Sequence, residues 1–386
     1  MSAENNRSGA KRSLGDIAFW LFEKAGQPVV ALIIAFFVGG LAILASGENP
    51  LKVYSIMFEK TLFHLPGIMN TLARSTPIII CAMGLAIAWR ANYETIGSEG
   101  QMILGGISAA ITALYLPAPG IVRTLVAIVV AIIVAGVYSM AAGFLDTQFR
   151  VPLVICSLLL NSIAALFGSY LVGFPFKDLS SGGIAIQTPQ VEEAARIPKM
   201  VTRYAPHWGL LVAILLVAAT WFFMNRTVFG YESKMVGLNS NFARYGGVRR
   251  TRVMYVTLFI AGACAGLAGA FEVLGMQYRF VDQAVQQTNY PWTGLMAVLI
   301  GGYRPIATAL ISLALAAIQY AGTVVARETN VTQDIAKIIQ ATLTLLVAAR
   351  LLARYIATKK SQRTLRRREQ EQDGLAAVTE GGDDHE

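Results

Sequence analysis

The chain has 386 residues, of which 55% are hydrophobic and 14% charged, and it carries a formal net charge of +9. The charged share is roughly half the ~25% usual in soluble globular domains. Apolar runs of eighteen residues or more recur from Pro28 almost to Ile356, which excludes a cytosolic multidomain enzyme. The positive surplus is not a nucleic-acid footprint. The 32 basic residues sit mostly in short gaps between apolar runs and in the C-terminal tail, where membrane orientation places them.

Residues 1–27 are polar to mildly amphipathic and form an N-terminal segment ahead of the first span, 28–46. That run is too long, and followed by too many others, to be a cleaved signal peptide. Further spans are predicted at 68–89, 98–116, 121–144, 151–173, 208–225, 254–275, 292–302, 305–322 and 335–357. The fold class is therefore all-α: a polytopic membrane protein of about ten crossings within a membrane domain 28–357. The run 292–302 has 11 residues where a crossing helix needs about 20, so it is a half-span sheltered among other helices. Ten crossings put 21 of the 32 basic residues on the side of the two termini, which makes both termini cytoplasmic. The loop 174–207, with Pro175, Pro189, Pro198, Pro206, Gly182 and Gly183, then becomes an extracytoplasmic cap, and 226–253 the longest cytoplasmic loop. The tail 358–386 runs from a basic block around Arg366, Arg367 and Arg368 to an acidic end; it reads as a topology anchor or as a contact to anionic lipid.

Several chemistries lack their residues. No Lys follows a Gly, so there is no P-loop. His64, His207 and His385 are dispersed, and Cys81, Cys156 and Cys264 lie singly inside apolar runs. Neither a zinc site nor a disulfide framework follows. With no nucleophile elbow and no paired carboxylates within a span, no catalytic constellation is present and no cofactor is expected.

The polar features inside apolar surroundings are therefore informative. Between the second and third spans, Tyr93 to Gln101 bring two carboxylates and two glycines to the edge of an apolar helix. They form either a broken helix whose freed amides face the interior, or a simple cap made by Ser98 and Glu99. Asn161 in the fifth span and Glu272 near the end of the seventh read first as hydrogen-bond partners between helices, then as ligand contacts. Gly262, Gly266 and Gly269 mark a face pressed against another helix, within the chain or across a subunit interface. In the long loop, Asn239 or Ser240 caps a short helix ended by Gly246 and Gly247, with Met235, Val236, Leu238, Phe242 and Tyr245 available to fill a partner's groove.

At these residues the sequence resembles the permease subunits of bacterial ABC importers, in the class serving branched-chain amino acids, simple sugars and nucleosides. The resemblance spans about Leu72 to Ala349. Thr95-Ile96-Gly97-Ser98-Glu99-Gly100-Gln101 is similar to the family's Asn-Ile-Gly-Ala-Glu-Gly-Gln signature, departing at Thr95 and Ser98. Val236, Gly237, Leu238 and Asn239, with Phe242, Ala243, Arg244, Tyr245 and Gly246, resemble the cytoplasmic loop that couples to a separate ATPase. Runs 265–270 and 297–302 also fit. With Leu158-Leu159-Leu160-Asn161 and Glu272, the likeness is greatest to nucleoside permeases, with simple sugars as the rival ligand. It implies an ATPase subunit, a second permease, an extracytoplasmic substrate-binding protein and a bacterial cytoplasmic membrane. Glu99, Gln101, Asn161 and Glu272 are the candidate pathway residues. The alternative mechanism is an ion-coupled secondary transporter with Glu99 or Glu272 as the coupling acid.

Overall fold

A computed structural model describes residues 35–179, 185–200 and 206–329, with 334, 337, 338, 341 and 342. The segment 1–27, residues 28–34 of the first span, all but four residues of the last span and the tail 358–386 lie outside them. Two compact units are present: Met1–Leu41 with Ile338–Glu386, and Ala42–Lys337. In the first, the described residues are chiefly the start of an apolar helix, α1 (Ala35–Ala45). The second holds the helices from Pro50 to Glu328.

The described residues are helical, and their only β pairing is two isolated bridges, Gln187 to Val281 and Lys199 to His207. After α1 come α2 (Pro50–Phe58), α3 (Leu65–Arg90), α4 (Ser98–Tyr115), α5 (Gly120–Phe149), α6 (Leu153–Gly173), α7 (Gly209–Arg226), α8 (Val228–Leu238), α9 (Ser240–Tyr245), α10 (Arg250–Phe271), α11 (Ala284–Thr288), α12 (Tyr290–Gly301) and α13 (Pro305–Glu328). Among the described residues six helices are long and apolar enough to cross a membrane: α3, α5, α6, α7, α13, and α10 with the π-helical turn Glu272–Gln277 that continues it. The interiors match the predicted spans from 68–89 to 305–322. The helix α2 and the π-helical turn Glu59–Phe63 behind it were not predicted. Asn49 caps α2 by accepting from the Leu51 amide at 3.0 Å, and Leu51 and Phe63 are each 79% exposed.

Burial sorts these helices. Along α3 nearly every residue from Ser75 to Ala88 is buried, so its all-round apolarity serves protein contacts. Along α5, α6 and α7 large apolar side chains such as Leu125, Leu166 and Leu215 are exposed, as lipid contact requires. Between them runs α10, packed on α3, α4 and α5. Its glycines explain the closeness: a Cβ on Gly262 or Gly266 would collide with the Ala135 or Ala131 carbonyl of α5, and one on Gly269 with the Met102 carbonyl of α4. The small-residue face thus packs within the chain.

Helix α12 is too short to cross a bilayer by itself. Its twelve residues rise about 18 Å, well short of a ~30 Å hydrocarbon core. Left-handed residues at both ends, Asn289 before it and Gly302 and Tyr303 after it, reverse the chain. Tyr290, Pro291, Thr293, Leu295 and Val298 are buried against α3, α4 and α13, which keeps its ends out of lipid.

The described part of the loop 174–207 is stitched onto the segment after α10. Val191 donates to the Tyr278 carbonyl (2.8 Å), Ile197 to that of Leu274 (2.9 Å), and Thr188 exchanges bonds with Phe280. Arg196 lies 4.7 Å over the Tyr278 ring. His207 closes the loop: its Nδ1 accepts from the Gly209 amide at 3.0 Å, and the ring is 1% exposed against Gly275 and Phe271. Burial lowers its pKa to about 4. Above pH ~6.5 the imidazole is neutral whether the loop is docked or not, and nothing is lost. As pH falls from ~6.5 towards 4 the undocked ring takes a proton that the docked ring refuses, so docking weakens by up to about 3 kcal/mol. Amide protection factors in residues 185–200, corrected for the intrinsic pH dependence of exchange, should fall over that window and become pH-independent there in His207→Phe.

Candidate functional site

The break between α3 and α4 is built from backbone groups that no helix satisfies, each met by a side chain from elsewhere. Asn161 on α6 does most: its Oδ1 accepts from the Gly100 amide and its Nδ2 donates to the Ile96 carbonyl, both at 2.9 Å. Ser157, one turn earlier, accepts from the Ile96 amide at 3.1 Å. The Trp89 indole donates to the Thr95 carbonyl at 2.9 Å. Thr95, Ser98 and Gln101 are buried, and a Cβ on Gly100 would come within 2.9 Å of the Asn161 Cα, so residue 100 must be glycine for the two segments to meet. Neither Ser98 nor Glu99 caps α4; Gly97 takes that position without a side-chain bond. Neither reading of this stretch holds whole: the cap by Ser98 is absent, Glu99 does stand in the first turn of α4, and residues 91–97 are an irregular link between two helices.

The four candidate pathway residues fall into three places. Asn161 and Gln101 meet around the break, with Gln101 Oε1 buried and without a partner. Glu99 turns to α12 instead, where its Oε2 accepts from the Trp292 indole at 2.6 Å. Glu272 lies along α4 from them, beside Met102 and Gly106 and at the start of the π-helical turn. Its Oε1 accepts from Gln277 at 2.9 Å; its Oε2 is buried without a partner. Short π-helical segments recur where a side chain is aimed for function. All four positions border the short helix α12 or the break it packs on.

Sequence reasoning missed Arg74. It lies nine residues into α3, about 13–14 Å from the helix start, half-buried, with its guanidinium 5.6 Å from the Tyr320 ring centre and within electrostatic reach of Glu272 and Tyr290. The available signal was an arginine inside an apolar run, a costly placement that ordinarily has a use.

The second feature is the segment of α8 and α9. Asn239 separates the helices and caps α9, accepting from Asn241 and Phe242 at 3.1 and 3.0 Å. Gly247, at φ +82°, ends it. The residues resembling a coupling loop divide by direction. Val236, Gly237 and Ala243 face inward: Val236 and Ala243 are buried, and a Cβ on Gly237 would strike the Arg90 carbonyl at the end of α3. Leu238, Phe242 and Tyr245 are 72%, 60% and 92% exposed, with Asn239, Arg244 and Gly246 beside them. Beneath lies a cleft of about 870 Å³ lined by Trp89, Arg90, Lys234, Leu238, Tyr303 and Arg304 among others. The knob thus packs on the end of α3, where Trp89 in turn bonds the break.

The family described as branched-chain amino acid transport system, permease component, matches residues 67–348. The chain belongs to that family. It is a membrane ABC transporter permease, and the family implies two kinds of partner, an ATPase and a substrate-binding protein. Similar proteins include a glucose ABC transporter permease of Haloferax volcanii, 29% identical over 341 residues, covering 86% of this chain and 89% of that one. A guanosine ABC transporter permease of Bacillus subtilis is 27% identical over 338 residues, covering 86% and 95%. A nucleoside ABC transporter permease of Lactococcus lactis is 26% identical over 342 residues, covering 86% and 93%.

The bracing role of Asn161 is testable in the permease. Asn161→Leu leaves the Gly100 amide and the Ile96 carbonyl buried and unpaired, at a cost of about 1–3 kcal/mol for each. Its unfolding midpoint in detergent should fall by several degrees. Asn161→Asp, which keeps the acceptor and loses the donor, should fall between it and wild type.

Proposed function

We propose that this chain is one permease of an importer for nucleosides, worked by a separate ATPase that docks on the knob formed by Leu238, Phe242 and Tyr245. The observation that carries the reading is this trio of large side chains, held out by the end of α8 and the capped six-residue helix α9, while Gly237 of α8 packs on the end of α3. A solvated connector has no cause to expose them, and a partner helix-binding groove does. Val236, Gly237 and Ala243 form the inward face that transmits a push, while Asn239, Arg244 and Gly246 complete the outward one.

In this reading α9 lies at the cytoplasmic surface. Ten crossings with both termini cytoplasmic follow from the charge distribution, and the loop 174–207 faces outward to receive a substrate-binding protein. A second permease completes the pathway, whose residues on this chain include Glu99, Gln101 and Glu272, with Asn161 holding the broken segment in place. ATP-driven movement of the knob shifts the end of α3 and the break together, opening the path alternately to the two sides. Nucleosides are favoured over hexoses because aromatic groups border the polar positions, half-buried Trp292 on Glu99 and buried Tyr290 near Glu272, and suit a flat base.

The complete importer in proteoliposomes provides the test. Leu238→Asp with Phe242→Asp should abolish stimulation of ATPase by nucleoside-loaded binding protein while the permease still inserts, since both side chains are exposed. Undiminished stimulation removes the knob as the coupling element. Accumulation that persists without an ATPase and collapses with an uncoupler would instead identify an ion-driven carrier.

A further inference from the structure

The cleft of about 870 Å³ beside α8 is lined by three cations that arrive from separate elements: Arg90 at the end of α3, Lys234 on α8 and Arg304 ahead of α13. None of them forms an ion pair with a described carboxylate, although one acid, Glu94, shares the cleft. Orientation in a membrane asks only that cations lie on one side. It does not ask that three face one hollow, where each raises the cost of the others. Local structure accounts for Arg90, which stands in the last turn of α3, where the helix dipole favours a positive charge. Arg304 is the opposite case: it holds the N-cap of α13, the end where the dipole disfavours a cation, and makes no capping bond there. Three cations against one carboxylate leave a surplus of two positive charges facing the cleft.

The rest of the lining shows what the missing anion is attached to. Helices α3, α7 and α13, each long and apolar enough to cross a membrane, contribute their ends here, so the cleft lies at one membrane surface. Trp221 lies five residues before the end of α7 and Leu310 five residues after the start of α13, about 7–8 Å along each helix. With Ile306 they line the cleft and remain 40%, 65% and 56% exposed, so an apolar wall descends from the charged mouth into the hydrocarbon. A free phosphate would meet the cations and leave this wall bare. An uncharged lipid would cover the wall and leave the cations unmet. We propose that the cleft holds an anionic glycerophospholipid of the surrounding leaflet, its phosphate among Arg90, Lys234 and Arg304 and its acyl chains along Trp221, Ile306 and Leu310. The site is separate from Glu99, Gln101, Asn161 and Glu272, none of which lines it, and it does not depend on the nucleoside reading. Bound there, the headgroup neutralises the like charges that the end of α3, α8 and the link from α12 to α13 bring together.

The experiment titrates the purified full-length permease in neutral detergent, alone and assembled with its ATPase, with dioleoyl phosphatidylglycerol, dioleoyl phosphatidylcholine and glycerol 1-phosphate. Bound lipid is read by native mass spectrometry and stability by the unfolding midpoint. Phosphatidylglycerol should bind about tenfold more tightly than phosphatidylcholine, raise the midpoint, and resist displacement by glycerol 1-phosphate. Lys234→Gln with Arg304→Gln, at two exposed positions, should weaken phosphatidylglycerol about tenfold or more and leave phosphatidylcholine unchanged. The exchange Lys234→Arg with Arg304→Lys should keep the affinity. The basic block of the tail is the same in all three chains, so the differences report the cleft. Equal affinity for the two lipids, or an unaltered glutamine variant, overturns the assignment. So does displacement by glycerol 1-phosphate, which would make the cleft a site for a free phosphate. Loss of the lipid when the ATPase is assembled would make the cleft part of that subunit's seat, and overturns it as well.

Discussion

In hydrocarbon a backbone amide or carbonyl has no water to bond, so every interruption of a helix must be answered by a group from the protein itself. This chain interrupts its helices at the turn of Tyr93 to Gln101 and at both ends of α12, and the rest of the membrane unit is arranged to answer them. Asn161, Ser157 and Trp89 satisfy the first; Gln319 binds the Thr288 carbonyl at the second. The interruptions are also where polar side chains enter the interior. Glu99, Gln101 and Glu272 are tolerable there because their neighbours are protein groups, and two of them keep an oxygen unsatisfied. A fold optimised for stability alone would have filled those valences.

Close packing of backbones makes this arrangement possible. Glycines on α10 let α4 and α5 approach until a methyl group would collide with a carbonyl. Between apolar helices in lipid there is no hydrophobic gain from association, so such proximity supplies the van der Waals contact that holds the bundle. It also sets α4 at the depth where Met102 and Gly106 flank Glu272. The small residues and the polar ones are thus parts of one device: the first fix the frame, the second use the gaps it leaves.

The length and order of the helices were legible because hydropathy over twenty residues is a local property, and α3, α5, α6 and α13 follow it closely. The shortness of α12 was legible for the same reason: the eleven-residue apolar run 292–302 is too short to cross, and the helix formed there has twelve residues. Partnerships were not. Asn161 reaches groups 61 and 65 residues away, and no periodicity in the chain encodes which backbone atoms it will meet. The knob was half legible: its apolar residues stood out, but Val236 and Ala243 point inward because α8 leans on the end of α3, a tertiary fact. Arg74 was overlooked because hydropathy averages one cation away among its apolar neighbours. The helix α2 escaped because nine residues with a lysine in them resemble a connector until Asn49 is seen to cap them.

Two jobs are kept apart in this architecture and joined by rigid elements. The exposed apolar residues at the end of α8 and on α9 and the Arg74–Tyr320 contact lie towards opposite ends of the same helix, α3: Gly237 of α8 rests on the carbonyl of Arg90 at one end, and Arg74 lies in the other half. A helix with buried sides along most of its length has little freedom to bend, because each side chain is held by close-packed neighbours. In the proposed mechanism a displacement at Arg90 passes along α3, across Pro77, towards α13, on which α3 packs. The energy source in that mechanism stays outside the membrane and acts through the exposed residues packed at one end of α3.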